Sequence, residues 1–308
     1  MRATFPIQPE YTAIAIAYKN QSLIADEVMP IVPVGKQEFK YYKFNLADGF
    51  TLPDTKVGRK SQPNEVEFTA TEETESCNDY ALDDPVPNAD IDNAPPNYDP
   101  LAIATEGIMD LIKLDREKRV ADMVFNYANY ATANKQTLSG TSQFSDYVNS
   151  DPIGVISAAI DSMIMRPNKI VMGQAVWTKL RMHTKLVQAV FGNNQNNGII
   201  TREQFAALFE LDKLIVGQGF VNSAKKGQTA TLARVWGKNI SLFYDSPIAA
   251  ATGRVTFGFT ARWGNPIAGS EFDSKIGMRG GQRVRAGESV KEVITANDLG
   301  YMIKDAIA

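Results

Sequence analysis

The chain has 308 residues, of which 44% are hydrophobic and 22% are charged, an ordinary globular composition that excludes a disordered, collagen-like or coiled-coil chain. At about 150 residues per domain, this length predicts two domains or one large body in two parts. The 32 basic and 35 acidic residues give a formal charge of −3, which argues against a strongly basic nucleic-acid-binding protein.

Cysteine and histidine are scarce, and this limits the chemistry of the chain. Cys77 and His183 are the single members of their kinds, so an internal disulfide is impossible and a structural zinc site lacks ligands. We expect no metal and no other cofactor. No apolar run reaches the ~18–20 residues of a membrane helix, and the N-terminus lacks the apolar core of a signal peptide. We therefore expect a soluble protein of a reducing compartment with no membrane contact.

Residues 1–35 form a leading segment. The stretch from Tyr11 to Tyr18 is small and apolar. Pro30 and Pro33 are spaced so that residues 28–34 cannot lie inside a helix. We expect this stretch to be extended and to lie along a surface.

Residues 36–82 resemble a long two-stranded hairpin. Aromatic residues at 39, 41 and 44 and Leu46 indicate a first strand, and a tip rich in Gly and Pro follows. Alternation of Val66, Phe68 and Ala70 with polar neighbours predicts the second strand. A polar hairpin of this length is not stable by itself, so another surface must cover it.

Charge is segregated along this hairpin. The first strand and the tip carry Lys36, Lys40, Lys43, Lys56, Arg59 and Lys60, whereas residues 61–99 contain Asp and Glu but no Lys or Arg. A solvated arm would explain this pattern, and so would a basic tip that meets an acidic surface on a neighbouring copy. The candidate inter-subunit contact residues are Phe39, Tyr41, Lys56, Arg59, Lys60, Glu65, Glu67 and Phe68.

Residues 83–150 are predicted to hold a linker and one long helix. The proline-rich run from Asp84 to Pro100 indicates the linker. Asp99 can cap a helix whose first position is Pro100, and apolar spacing extends that helix to about Thr132. Such a helix would be roughly 45–50 Å long, well beyond the usual globular length.

The remainder, 151–250 and 251–308, alternates helices and strands and predicts an α+β body. Helices are expected from 152, 174, 185 and 201, the last with a capping box, and strands over 169–173, 214–217, 239–244, 254–262 and 275–290. A short helix is predicted over Asp298–Ile307. Trp177, Trp236 and Trp263 are expected to anchor the core.

No catalytic motif is present. His183 lies between Arg181 and Lys185 at a helix end, which favours a structural role, and acidic surroundings oppose a reactive Cys77 thiolate. Gly217-Gln218-Gly219 lacks the third glycine of a dinucleotide fingerprint, and there is no P-loop or calcium loop. Lys275, Arg279, Arg283 and Arg285 could face phosphate, but a solvated strand or an acidic contact is the better interpretation. We predict that the protein is not an enzyme, with a soluble α+β enzyme as the weaker alternative.

The order of these parts resembles the major capsid protein of tailed bacteriophages, which has the Hong Kong 97-type fold. Its N-arm, E-loop and spine helix with P domain correspond to 1–35, 36–82 and 83–150. Its A domain corresponds to 151–250, and return strands with a C-terminal helix to 251–308. Residues 168–173 with Trp177 and Leu180 are similar to the strand–helix phrase at the start of the A domain, and residues 293–296 with 301–303 are similar to the C-terminal end.

The resemblance implies a subunit that self-assembles through hexamers and pentamers into an icosahedral shell around double-stranded DNA. It implies no catalytic or cofactor-binding residue. Expected partners are a scaffold, a portal, decoration proteins in some members and non-specific contacts with packaged DNA. The location would be the virion, after synthesis in the host cytoplasm, and the initiator Met1 favours a separate scaffold protein. An encapsulin-like nanocompartment, which has the same fold and encloses protein cargo, is the alternative.

Overall fold

The computed structural model of the chain describes residues 5, 7–17, 23–44, 50–66, 70–192, 198–225, 227–246 and 256–308. Two five-stranded sheets dominate these ranges, accompanied by two separate two-stranded ribbons. The α+β class expected from the sequence is confirmed. Within the described ranges, no helix is both long enough and apolar enough to cross a membrane.

One helix is much longer than the others. The helices are α1 Pro9–Ala17, α2 Ala25–Val28, α3 Asn88–Asp92, α4 Pro100–Val124, α5 Pro152–Ser162, α6 Gln174–Leu180, α7 Thr184–Phe191 and α8 Arg202–Leu208. The strands are β1 Ile31–Val34, β2 Glu38–Phe44, β3 Ala70–Ser76, β4 Asn78–Pro87, β5 Lys135–Thr137, β6 Lys169–Gly173, β7 Lys213–Gly217, β8 Phe220–Asn222, β9 Leu232–Arg234, β10 Ile240–Phe243, β11 Gly258–Trp263, β12 Ile267–Asp273, β13 Gly281–Ile294 and β14 Gly300–Lys304.

The first sheet is built around β13. One edge of β13 pairs antiparallel with β4 along 281–290, and the other edge pairs with β12 and then β11, to which β1 adds in parallel. The prediction that residues 84–87 belong to a linker is wrong, because they lie in β4. The prolines that suggested a linker are tolerated there, since β4 is an edge strand of the sheet.

Helix α4 lies across the first sheet. It begins as predicted, with the Asp99 carboxylate accepting hydrogen bonds from the backbone N–H groups of Leu101 at 2.9 Å and Ala102 at 3.3 Å. It ends at Val124 rather than near 132, because Asn126 opens a separate 3₁₀ turn. Its 25 residues span about 37 Å. Its buried face packs on the sheet through Ala104, Ile108, Met109, Ile112, Val284 and Ala286.

The second sheet has the order β5-β14-β10-β6-β7. Helices α5 to α8 cover one face, onto which Ile170 and Met172 of β6 point, while Val171 points to the opposite face. The helix predicted over 298–307 is wrong, because residues 300–304 form β14 within this sheet. A strand buried on both faces shows no polar alternation, so its apolar run is easily mistaken for a helix.

A partly buried strap, residues 23–34, joins the long helix to both sheets. The Glu117 carboxylate of α4 accepts hydrogen bonds from the N–H groups of Ile24 and Ala25 and from the indole N–H of Trp236. Burial raises the pKa of Glu117. Met29 packs in the core beside the second sheet, and β1 continues the strap into the first sheet.

Two of the three predicted tryptophan anchors are buried. Trp177 is 3% exposed and Trp236 is fully buried, as expected. The prediction is wrong for Trp263, which is 41% exposed. Trp263 ends β11 immediately before a turn at Gly264, whose φ of 68° is left-handed, so its ring lies at the sheet margin.

Candidate inter-subunit surface

The predicted hairpin is present, with a different second strand. β2 and β3 pair antiparallel from Glu38 opposite Ser76 to Phe44 opposite Ala70, and we call residues 38–76 the arm. The sequence predicts the second strand around 65–70; the described strand is β3, Ala70–Ser76, and Glu65 lies in the exposed tip. Glu67 and Phe68 lie outside the described residues. The register is set at the base of the arm, where the Cys77 N–H donates to the Gln37 carbonyl at 2.9 Å.

Two predicted contact residues pack on their own chain. Phe39 is 8% exposed and packs with Cys77, Ala261 and Val293. Tyr41 is half-buried and meets Phe259 edge to face, with ring centroids 6.4 Å apart. The first sheet of the same chain covers most of Phe39, and its contact with a neighbour stays a prediction.

Part of the charge segregation is resolved within the arm. Lys40 pairs with Glu72 and Lys43 with Glu73 across the two strands, while Glu75 pairs with Lys291 of β13. These side chains remain substantially exposed, so solvent screens each pair and its contribution to stability is small. The basic and acidic strands thus complement each other before any neighbour is considered.

The tip of the arm, residues 50–66, differs from the paired strands in that every one of its residues is exposed. Its large apolar side chains are uncovered, with exposed fractions of 60% at Phe50, 95% at Leu52, 46% at Val57 and 57% at Val66. The predicted cations Lys56, Arg59 and Lys60 form no salt bridge with any described residue. The tip therefore offers uncovered apolar surface together with three cations, which outnumber the two carboxylates of Asp54 and Glu65.

A groove of about 790 Å³ runs between β4 and α4. One wall is a stripe of helix residues, Ile103, Gly107 and Leu111, and the other is the strand from Leu82 to Pro87. Ile103 is 44% and Leu111 57% exposed. Both walls therefore present apolar side chains, the strand wall also carries Asp83 and Asp84, and the groove is open to solvent.

Carboxylates line the rim of this groove. Arg285 donates to Asp83 at 2.6 Å, and this hydrogen bond lowers the pKa of Asp83. Asp84 and Asp90 are exposed and form no salt bridge within the described part of the chain. The groove therefore carries uncompensated negative charge, which sequence analysis located only as an acidic stretch.

The scarce reactive residues have structural positions. Ser150 donates its hydroxyl proton to the Asp146 carbonyl at 2.6 Å, so the 3.0 Å contact with His183 requires a proton on Nε2 of the imidazole. Nδ1 of His183 then accepts from the Lys185 N–H at the start of α7. Cys77 is buried, and burial raises the pKa of its thiol. His183 thus serves as a helix cap.

The remaining charged clusters are also accounted for. Arg283 pairs with Asp273 at 2.6 Å and Arg285 with Asp83, so part of the predicted basic stretch contacts carboxylates of its own chain. Among the described ranges, no group of three or more His, Cys, Asp or Glu side chains is placed to hold a metal ion.

Comparison with known structures identifies the fold. A phage-related protein from Bordetella bronchiseptica superimposes with a TM-score of 0.77 at 23% identity, covering 99% of both chains. The capsid of cyanophage P-SCSP1u gives a TM-score of 0.59 at 10% identity, covering 94% of this chain and 89% of the other. The encapsulin of Synechococcus elongatus gives 0.54 at 10% identity, covering 99% and 91%. The predicted Hong Kong 97-type fold is confirmed.

Comparison of sequences identifies the family. Residues 120–261 match the family model described as phage major capsid protein E. The major capsid protein of Burkholderia phage BcepMu is 29% identical, covering 96% of this chain and 95% of its own. The major capsid protein of Pseudomonas phage JBD67 is 54% identical over 306 residues, covering 99% of each chain. Because this identity extends over the whole length, the chain belongs to the family of phage major capsid proteins, the structural proteins of the virion capsid.

Proposed function

We propose that this chain self-assembles into a closed icosahedral shell that encloses the double-stranded DNA of a tailed phage. The observation that carries the proposal is the arm tip, whose large apolar side chains are all uncovered in the single chain. Exposed apolar side chains clustered with charges are typical of a protein–protein contact. A shell provides such a contact for every copy, and membership of the capsid family supports this assembly.

The partners follow from the same proposal. Hexamers and pentamers of the chain would form the shell, with a scaffold during assembly, a portal through which DNA enters and, in some shells, decoration proteins. Contacts with packaged DNA would be non-specific. We also propose synthesis in the host cytoplasm, and a division into N-arm 1–35, E-loop 36–82, spine helix and P domain 83–150, A domain 151–250 and return segment 251–308.

The tip and the groove match in polarity and charge. The tip is an exposed segment with Leu52 and Val57 beside three cations, and the groove combines apolar side chains with the carboxylates Asp84 and Asp90. Complementary charge fixes the register between partners, while apolar burial supplies affinity. We therefore place the tip of one copy in the groove of the adjacent copy.

Filling the groove tests this placement. A Cβ atom added at Gly107 meets no atom within 4 Å, and the residue is exposed in the middle of α4. Gly107→Leu should therefore fold, with a gain in helix propensity, while its side chain fills the groove. We expect the variant to give folded subunits that do not form shells in negative-stain microscopy. Glu106→Leu is the control, because Glu106 is exposed but does not line the groove.

Charge reversal provides a second test. The triple variant Lys56→Glu, Arg59→Glu and Lys60→Glu should assemble slowly or not at all, and adding Asp84→Lys and Asp90→Lys should restore assembly. Salt at about 1 M, where the screening length is about 3 Å, should weaken assembly of the unmodified chain in the same direction. A triple variant that assembles with unchanged yield and salt response would show that the tip is only a solvated turn.

An encapsulin-like nanocompartment is the alternative, because an encapsulin has a similar fold. The contents of purified particles distinguish it from a phage shell. Particles made during infection should contain DNA and a portal at one vertex. Particles that instead contain a protein cargo and no DNA would contradict the phage-shell function, even if the tip and groove are correctly paired.

A further inference from the structure

We propose that the ring contact between Tyr41 and Phe259 sets the direction of the arm before any neighbour is met, so that Tyr41 and Phe259 are positioning residues for assembly. This inference rests on the proposed shell function. It assigns to Tyr41 a role within its own subunit, in place of the neighbour contact expected from the sequence.

The contact lies on the face of β2 that looks toward the first sheet. Phe39 and Tyr41 are two residues apart, so their side chains project from the same face of the strand. Their ring centroids are 6.2 Å apart, and the Tyr41 ring meets Phe259 of β11 at an interplanar angle of 88°. Edge-to-face geometry of this kind is directional, because the positive ring edge meets the negative ring face.

Polar contacts near Phe39 and Tyr41 also attach the base of both strands to the body. The Gln37 side chain donates to the Cys77 carbonyl at 3.1 Å, where β2 and β3 meet the body. Glu75 of β3 pairs with Lys291 of β13 at 3.1 Å. The base of the arm is therefore fixed on β2 by aromatic packing and on β3 by an ion pair.

Beyond Tyr41, the described residues of the arm are more exposed. The next residue, Tyr42, is 50% exposed on the opposite face of β2, and all of the tip residues are exposed. The seven residues of β2 extend about 23 Å, so a rotation of about 10° at its base displaces its far end by about 4 Å. A displacement of that size breaks an ion pair or a packed apolar contact, so the direction at the base decides whether the tip reaches a neighbour.

A fixed direction also favours association. An arm that samples many directions must lose that freedom when it binds, whereas an arm already held in one direction loses less. The Tyr41–Phe259 contact should therefore raise the rate at which subunits join, without itself lying in the interface between copies.

Ring-removing variants test the proposal directly. In unassembled subunits, spin labels at Thr71→Cys in the arm and Met278→Cys on the body should give a narrow distance distribution, because the arm base is held. Thr71 is exposed and Met278 is 93% exposed, whereas Cys77 is 1% exposed and should remain unlabelled. Tyr41→Ala and Phe259→Ala should broaden that distribution, while Tyr41→Phe, which keeps the ring, should not.

Assembly should change in parallel. We expect Tyr41→Ala and Phe259→Ala to lower the assembly rate about threefold to tenfold, and Tyr41→Phe to retain the original rate. The inference is wrong if both alanine variants keep the narrow distance distribution, or if they close shells at the original rate. Failure of the unmodified chain to assemble would contradict the shell function itself, and the label distances would still report on the arm.

Discussion

Arg116 of α4 donates through one Nη atom to both carboxylate oxygens of Glu288 on β13, each at 2.9 Å, and both side chains are almost fully buried. The other Nη atom reaches Asp26 of the strap at 2.6 Å. One guanidinium therefore connects the long helix, the first sheet and the strap. A buried pair of this kind is costly to break, because the remaining charge has no water to replace its partner.

Breaking this pair should strongly destabilise the subunit. Because Arg116 keeps Asp26 as a partner, we expect Glu288→Gln to lower the free energy of unfolding by at most about 3–5 kcal/mol in denaturant titration of unassembled subunits. The double variant Arg116→Met, Glu288→Leu should lose much less, because it leaves no unpaired buried charge between helix and sheet. Lys118→Ala, which removes an exposed pair with Asp122, is the control and should cost less than about 1 kcal/mol. Equal losses in Glu288→Gln and the control would contradict this account.

Removing the Glu117 carboxylate should release the strap. Glu117→Ala leaves the N–H groups of Ile24, Ala25 and Trp236 without their acceptor, and a single unsatisfied buried donor costs about 1–3 kcal/mol. Hydrogen exchange should accelerate at residues 24–29, while the tip keeps its exchange rate. Unchanged protection of the strap in a folded variant would show that apolar packing alone holds it.

His183 should make the subunit sensitive to acid. The pKa of His183 is lowered in the folded chain, mainly by burial and to a smaller extent by the nearby positive charge of Lys185. Below about pH 6.5 the unfolded chain binds a proton that the folded chain does not, so stability should fall as pH drops from about 6.5 toward the folded pKa. Asn caps helices well and does not titrate, so His183→Asn should reduce this slope. The free energy of unfolding of both chains is measured between pH 7.5 and 5. If it falls equally steeply with pH in both, His183 is not the source of the acid sensitivity.

Gly217 should not tolerate a side chain. A Cβ atom there would lie 2.1–2.8 Å from side-chain atoms of Trp236, whose indole N–H is bound to Glu117. Because the ring cannot move without losing that bond, we expect Gly217→Ala to destabilise the subunit by about 1–3 kcal/mol. Gly237→Ala, with no atom within 4 Å of its Cβ, is the matched control. Thermal unfolding of both variants is the measurement, and an equal melting temperature for the two would contradict the prediction.

Much of the second sheet and its helices followed from local signals in the sequence. The strand over 169–173 is confirmed with the same bounds, and the capping box of Thr201 and Gln204 is present at the start of α8. The Asp99 cap likewise fixed the start of α4. These features depend on residues close together in the chain, so a pattern of a few positions is enough to predict them.

Part of the candidate site could also be predicted from residues close together in the chain. The exposed, cationic tip could be predicted because Gly, Pro and Lys cluster there without an apolar pattern that would bury them. The groove could not, because its walls come from β4 and α4 and its acidic rim was read as part of a linker. The packing of Phe39 and Tyr41 on their own chain was missed because their partners, Phe259 and Ala261, lie more than two hundred residues further along the chain.

The sequence by itself determined the absence of a disulfide, the long capped helix, the segregated charges of the arm and an order of parts that resembles capsid proteins. Only the tertiary structure decided that residues 300–304 form a strand, that 78–87 join the first sheet, and that the aromatic face of the arm lies against its own body. These three outcomes depend on which surface covers each segment. Burial against a distant strand outweighs local preference, because each buried apolar side chain contributes about 1.5–3 kcal/mol while propensity differences are usually below 1 kcal/mol.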